Sequence, residues 1–389
     1  MKKTKLKPGW KTWRFDQIAI NVNNRIDDPS KSGAEYYVGL EHLDPESLKI
    51  RRWGVPTDVE ATKLIFKKGD IILGRRRVYQ RKLAVAEFDG ICSAHAMVLR
   101  PRENVIAKEF LPFFMQSDLF MERAMAISVG SLSPTINWKT LAKQEFALPP
   151  LNEQRRIAEV LWAAETNLRE SINLKDSVAK LLKAFLLETW RSHKGWQPLG
   201  DVCTSVTSGS RGWAKHYADN GSGIFIRITN IPRGEIDLDL SDLKRVNPPI
   251  GLESKRTRIS SGDILISITA ELGLVAVARP EIDEAYVNQH LALARPNPNK
   301  VNSVYLAWYL ASPLGQRGFL KYNDQGAKAG LNLPNLSSLL IPLDSLDKQE
   351  ALANRCEQIF AGLKACRKCQ EQAYEHLKHL ISNCVRGSA

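Results

Sequence analysis

Cysteine is scarce: six in 389 residues, too few for the disulfide frameworks that hold small secreted domains together, which fits a reducing compartment. The chain has no long uncharged apolar run, so no segment reads as a membrane-spanning helix. Nor does it carry a basic amphipathic helix of the kind that lies on a lipid surface. The opening MKKTKLKPGW is basic but no apolar segment follows it, which excludes a secretory leader and points to the cytoplasm. A glycine-rich cofactor loop after a strand and a Walker loop are both missing. The carboxylates, such as Asp263 and Glu271, are scattered and form no nuclease constellation.

What the chain has in excess is positive charge. Its net charge is +13 and its pI about 9.4, which points to a polyanionic partner. The excess is uneven: residues 1–194 carry +10 and residues 195–389 carry +3. With membrane surfaces set aside, the anion is expected to be nucleic acid, and the first half to hold more of the phosphate-facing surface.

The chain also repeats itself. GICSAHAMVLRP at 90–101 aligns without a gap on AYVNQHLALARP at 285–296, placing His95 and His290 at an offset of 195. Asn137 and Gln154, 17 apart, recur as Asn332 and Gln349 at the same offset. Earlier matches are less regular, 186 between Gly9-Trp10 and Gly195-Trp196 and 193 between Gly69-Asp70 and Gly262-Asp263. Insertions therefore fall early in each copy, where variable loops on a repeated scaffold usually face a ligand. Short β-like runs (DIILG, LAVAEF, AMVLR) and a helical stretch near 107–126 precede a long periodic segment in the first copy.

Those periodic segments read as coiled-coil seams. In the second, Leu352, Cys356, Ile359, Leu363, Cys366, Ala373, Leu377, Leu380 and Cys384 alternate steps of four and three, broken at Gln370. In the first, Ile157, Leu161, Ala164, Leu168, Val178, Leu182 and Phe185 do the same, interrupted at Ser171 and Lys175. Two equivalent seams predict two long helices paired antiparallel. Cys366 and Cys369 with His376 and His379 resemble a metal box, but a structural zinc site needs a turn between paired ligands. Here the cysteines sit mid-helix, where core packing is expected.

LPPLNEQRRIAEVL at 148–161, followed by a coiled-coil helix, resembles the central conserved region of type I restriction–modification specificity subunits. IPLDSLDKQEALA at 341–353 is a weaker echo. GSLSPTINWKTLAKQEFALPPL resembles the exit from the first recognition domain of that family, and SGSRGWAKHYADNGSGIFIRITNIPRGEIDL at 208–238 the entry into the second. The implied fold is α+β with an internal pseudo-twofold repeat. It comprises a target recognition domain at 1–150, a conserved coiled-coil helix at 151–193, a second recognition domain at 194–346 and a C-terminal coiled-coil helix at 347–389. The resemblance implies a subunit that is not itself an enzyme and that serves phage defence. Each recognition domain would read half of a split, asymmetric duplex DNA site, and the helices would set the spacer and dock two methyltransferase subunits. Restriction and translocase subunits would complete the assembly, with S-adenosylmethionine, ATP and magnesium bound in the partners and no cofactor in this chain.

Candidate DNA contacts follow from residue chemistry. Arg75, Arg76, Arg77, Tyr79, Gln80, Arg81 and Lys82 form the densest basic stretch. Three successive arginines cannot all be buried in a small β core, and Tyr79 and Gln80 add stacking and base-edge chemistry. The counterpart, Ser267 to Glu271, is nearly uncharged, so the two copies are expected to read different sequences. In the second copy Ser208, Ser210, Arg211, Trp213, Lys215 and His216 form a glycine-rich polar loop, and Arg227, Thr229 and Asn230 follow at a strand end. Glycine allows close approach to a ligand, and hydroxyls can donate to phosphates. Arg51, Arg52, Arg256 and Arg258 are weaker candidates. His95 and His290 are expected to be hydrogen-bonded inside each domain, since no carboxylate or serine stands at a suggestive spacing. Asn247-Pro248-Pro249-Ile250 begins like the catalytic loop of adenine-N6 methyltransferases, but isoleucine replaces the aromatic that stacks on a flipped base. Two rival functions remain at this level: a methyltransferase or endonuclease with unfamiliar catalytic motifs, and a coiled-coil scaffold with incidental basicity.

Overall fold

Alternation of apolar side chains across a β-strand buries both faces when each meets its own core, and this pattern organises both halves of the chain. A computed structural model describes residues 6–321 and 331–385; the last four residues of the expected second helix lie outside them. The chain divides into two units, Met1–Ile172 with Lys368–Ala389, and Asn173–Arg367.

In the first unit a four-stranded antiparallel sheet runs in the order Ala19–Val22, Ala96–Pro101, Ile71–Gly74, Leu83–Val85. Ile71, Leu73, Met97 and Leu99 face a core shared with helices, whereas Ile72, Ala84, Ala96 and Val98 face a second core. Behind that second core lies a sheet ordered Arg25–Ile26, Lys63–Phe66, Gly90–Ser93, Tyr37–Val38, whose last pair is parallel. The helical stretch anticipated at 107–126 is two helices, Leu111–Gln116 and Asp118–Ala126. Ser117 adopts an extended conformation between them and its hydroxyl accepts from the Phe120 amide, the usual task of a serine N-cap.

The second unit repeats this plan. Its antiparallel sheet runs Cys203–Ser208, Leu291–Pro296, Ile264–Ser267, Val275–Val277. Ile264 and Ile266 face the helices and Leu265 the second core. The sheet behind it is ordered Lys244–Val246, Gly223–Ile226, Ala285–Val287, with the last pair again parallel. Ser312 caps Pro313–Leu320 as Ser117 caps its helix.

The two long helices are Leu151–Arg191 and Leu346–Val385, each about 60 Å long at 1.5 Å per residue. Within the first unit Ala158 and Leu161 share a core with Leu377, Ile381 and Val385. Within the second, Leu182, Leu186 and Trp190 share one with Ala353, Cys356, Phe360 and Leu363. The start of one helix thus meets the end of the other, as an antiparallel pair requires. The buried stripe differs from the expected seam: Ala353 and Phe360 are buried and Leu352 and Ile359 are half-buried. The reason is that each helix segment faces a partner helix segment and also the core of its own unit, which widens and rotates its apolar face.

The repeated glutamines find their explanation here. Gln154 Oε1 accepts from the Ala107 amide (2.8 Å), and its Nε2 donates to the carbonyls of Val105 (3.0 Å) and Pro149 (2.9 Å). Gln349 does the same with Asn302 (2.8 Å), Lys300 (3.2 Å) and Asp344 (2.8 Å). Each amide ties the first turn of a long helix to the loop that leads into the short helices. Buried Asp70 and Asp263 form a second matched pair, receiving the guanidinium groups of Arg100 (2.7 and 2.8 Å) and Arg295 (2.8 and 2.7 Å) in forked contacts. Planar bidentate pairing satisfies both carboxylate oxygens away from water.

Candidate DNA interface

Strand Ile71–Gly74 delivers the arginine run at its end. Arg76 pairs with Thr135 across a β-bridge, the Arg77 amide donates to Pro134 (2.8 Å), and the Ile136 amide donates to Arg75 (2.9 Å). The loop is therefore clamped onto the segment 129–136. Arg77 and Arg81 both have left-handed backbone conformations, φ +53° and +50°, which cost energy in a residue bearing a Cβ. The surrounding hydrogen bonds hold this turn.

The structure sorts the seven candidates of this stretch. Arg76, Arg77 and Tyr79 are exposed, Tyr79 by 54%, while Arg75 and Gln80 are half-buried. Arg81 is turned inward, paired with Asp118 and 3.9 Å from Glu46. Lys82 donates to the Leu40 carbonyl (2.7 Å). Arg81 and Lys82 thus brace the turn instead of facing outward, because carboxylate and carbonyl acceptors of the same unit lie within reach. Arg52 is exposed but paired with Asp44, and Arg51 lines a cleft beside Glu165 and Glu371 of the long helices.

His95 departs from the expected interior position. It is exposed beside the arginines, its Nε2 3.3 Å from Arg76 Nη1, and its carbonyl accepts from the Arg75 amide (3.1 Å). Partial desolvation, then the charges of Arg76, Arg75 and Lys63, push its pKa below the ordinary 6.5, which favours the neutral imidazole. His290 occupies the same backbone position, accepting from the Ile268 amide (3.0 Å), with its Nδ1 2.7 Å from Thr269 Oγ1. The strand-like pattern around both histidines hid the turn at Ser93–Ala96 that brings the imidazole to the surface.

In the second unit the expected loop splits into a buried half and an exposed half. Trp213 is 2% exposed and stacks on Phe225 at 5.4 Å, with Tyr286 at 5.2 Å. It is core, because the loop folds its apolar ring under itself. Ser210 is buried, its hydroxyl donating to Thr257 (3.3 Å). Asn230 is buried and supports its own turn, accepting from the Arg227 amide (3.0 Å) and donating to Asp239 and Asp242 carbonyls (2.9 Å each). These three are corrected from contact to scaffold. Arg227 donates to the Asp242 carboxylate (2.8 Å), and Arg256 to Thr207 Oγ1 (2.6 Å) and the Ser208 carbonyl. Gly209 shows why the segment needs glycine: a Cβ there would lie 1.8 Å from the Asn288 carbonyl oxygen.

Arg211, Lys215, Thr229 and Arg258 are exposed, and His216 and Ser208 half-buried. The edge strand Lys244–Val246 joins them, with Tyr217 bridged to Val246 and the Lys244 ammonium 5.5 Å from the Tyr217 ring. Lys244, Arg245 and Tyr217 were missed because neither charge density nor glycine marks them. Only the pairing of Lys244–Val246 along Gly223–Ile226 places them beside the loop.

Among the described residues no cluster of three or more His, Cys, Asp or Glu side chains is placed to hold a metal ion, and no helix is long and apolar enough to cross a membrane. Cys356 is buried, Cys366 half-buried and Cys369 exposed.

The sequence matches the family model described as type I restriction modification DNA specificity domain twice, over residues 57–175 and 193–372. It is 30% identical over 295 residues to the type I restriction enzyme EcoBI specificity subunit of Escherichia coli, covering 67% of this chain and 61% of that one. The EcoDI specificity subunit of the same organism is 28% identical over 47% of this chain and 41% of its own length. These alignments span less than two thirds of either relative. The fold resembles a solved chain from a study of complex assembly and conformational transition of the type I R-M system, with a TM-score of 0.62, 22% identity and full coverage of both chains. It also resembles the type I restriction–modification S subunit of M. genitalium, with a TM-score of 0.58, 16% identity and coverage of 99% and 98%. Matched twice by the same model, over residues 57–175 and 193–372, the chain belongs to the type I restriction–modification DNA specificity family.

Proposed function

We propose that this chain is the DNA-specificity subunit of a type I restriction–modification complex. Each unit reads one half of a split duplex site, and the long helices set the spacer between half-sites and dock two modification subunits. The chain itself is non-catalytic; S-adenosylmethionine, ATP and magnesium belong to modification and restriction partners. The observation that carries this reading is one repeated scaffold bearing two different basic surfaces. One is built on Arg76, Arg77 and Tyr79, the other on Arg211, Lys215, Lys244 and Tyr217. Phosphate contacts supply most of the affinity, and base-edge contacts worth ~1–3 kcal/mol each supply discrimination.

The test is to express the chain with its modification partners and map methylated sites across the host genome. A two-part asymmetric motif with a fixed spacer is expected; a continuous motif, or none, overturns the reading. Deleting one heptad from both helices is expected to alter the spacer and leave the half-sites unchanged. Binding of S-adenosylmethionine, or DNA cleavage, by the purified chain alone would support the enzymatic rival. Absence of sequence preference in the complex would support the scaffold.

A further inference from the structure

The arginine loop of the first unit is clamped to a protruding apolar turn. Val129 and Thr135 exchange backbone hydrogen bonds of 3.1 and 3.0 Å, closing the intervening residues into a tight loop in which Gly130 takes a φ of +112°. Thr135 is bridged to Arg76, and Pro134 receives the Arg77 amide. At the tip stands Leu132, 92% exposed, with Val129 69% exposed. Covering such a leucine with a partner's apolar surface would be favourable. The exposed charged neighbours on the same clamp are Arg76 and Arg77, so the complementary surface is a polyanion.

The second unit carries a comparable feature at a different place in the chain. Ile250 and Leu252 are 106% and 84% exposed. Their loop is anchored by the Asn247 amide donating to the His216 carbonyl (2.9 Å) and by Ser254 donating to the Pro249 carbonyl. Lys255 and Arg256 lie three and four residues beyond Leu252, after exposed Glu253 and buried Ser254, and Lys215 sits beside His216; these three cations are exposed, Arg256 while donating to Thr207 and Ser208.

Resting on the specificity reading above, we propose that Leu132 in the first unit and Ile250 in the second are wedges that enter the DNA between base steps. Flanking cations hold the phosphates on either side. An aliphatic side chain on a rigid, cation-flanked tip can partly unstack a step and kink the duplex, and its cost depends on the sequence being opened. Each wedge therefore adds specificity at a position that no hydrogen-bonding group reads. A thymine-methyl contact would require only a flat apolar surface, whereas these side chains project beyond their loops.

The experiment uses the complete chain with its modification partners on duplexes carrying the mapped site. 2-Aminopurine replaces, one at a time, each adenine other than the methylated base. Raised fluorescence is expected at one step in each half-site. Leu132→Ala should abolish it in one half and Ile250→Ala in the other, each weakening specific binding about tenfold. Leu132→Met should retain the signal. Specific binding without any enhanced fluorescence, or enhancement unaffected by either alanine, overturns the wedge alone. The same holds if replacing thymine by uracil reproduces the loss. A wild-type complex with no site-specific binding overturns the specificity reading and the wedge together.

Discussion

The two units share a frame down to individual hydrogen bonds, yet they present different chemistry at its edge. Gln154 and Gln349 make the same three contacts, and Asp70–Arg100 and Asp263–Arg295 the same fork. By contrast, the turn after Ile71–Gly74 displays Arg76 and Arg77, while its counterpart after Ile264–Ser267 places Thr269 against His290. Such a division is what the proposed reading of two unlike half-sites requires, because the scaffold must stay constant while the contact residues change. Four experiments would break or sharpen the comparison.

The largest effect is expected from Trp213→Ala, which removes a buried ring packed between Phe225 and Tyr286 and should cost about 3–5 kcal/mol. Its first-unit foil is Tyr79→Ala, at an exposed aromatic, which should change stability by less than about 0.5 kcal/mol while weakening DNA binding. Denaturant unfolding and duplex titration together decide it; a stable Trp213→Ala chain with weakened binding would return that residue to the interface.

Next, Gln154→Leu and Gln349→Leu should each destabilise their own unit, by up to about 3 kcal/mol, since each leaves an amide and two carbonyls, buried around Gln154 and part-buried around Gln349, without their side-chain partner. Hydrogen exchange resolved by segment reads this. Markedly unequal losses would show that the repeat is one of sequence and not of energetics.

Replacing Arg76 and Arg77 together with alanine should lower the slope of log affinity against log salt by about 2, at roughly 0.9 per phosphate contact. Arg81→Ala should leave the slope unchanged because Arg81 is occupied by Asp118. A slope lowered by Arg81→Ala would mean that this arginine leaves Asp118 when DNA binds.

The smallest effect concerns how the second long helix is held. In the second unit Asp237 is desolvated, which pushes its pKa up, but hydrogen bonds from Lys364 and Arg279 outweigh this and hold it below the usual 3.8. A depressed carboxylate contributes stability that is complete above its unfolded value and is lost as pH falls through the folded one. Amide exchange across 357–367 should therefore accelerate below about pH 3.8. In the first unit a phenol, Tyr374, donates to Glu46; burial and that carboxylate raise the tyrosine's pKa to about 12. This contact is not an ion pair, and 370–380 should respond less. Equal acceleration in both segments would remove the distinction.

The long helices, the strands and the matched pairs were legible because they obey period and offset. Steps of four and three, alternation of apolar residues, and an interval that settles at 195 in the later part of each copy survive in one dimension. Contact residues obey no period. Arg81 and Arg76 are chemically identical in the sequence, and Asp118, 37 positions away, together with Glu46 turns one inward. Trp213 has the composition of a stacking residue and the packing of a core residue. Lys244 and Tyr217 came together only through strand pairing, and Leu132 became conspicuous only once its loop was seen to leave it uncovered.

By itself, then, the sequence determined the repeated frame, the two long helices, the basic excess and its tilt toward the first half. Local propensity and periodic burial are written residue by residue. Tertiary structure alone decided which cations face outward, which aromatics are buried and where the exposed aliphatic tips stand. Burial and pairing of a side chain depend on acceptors and packing partners brought in from distant parts of the chain.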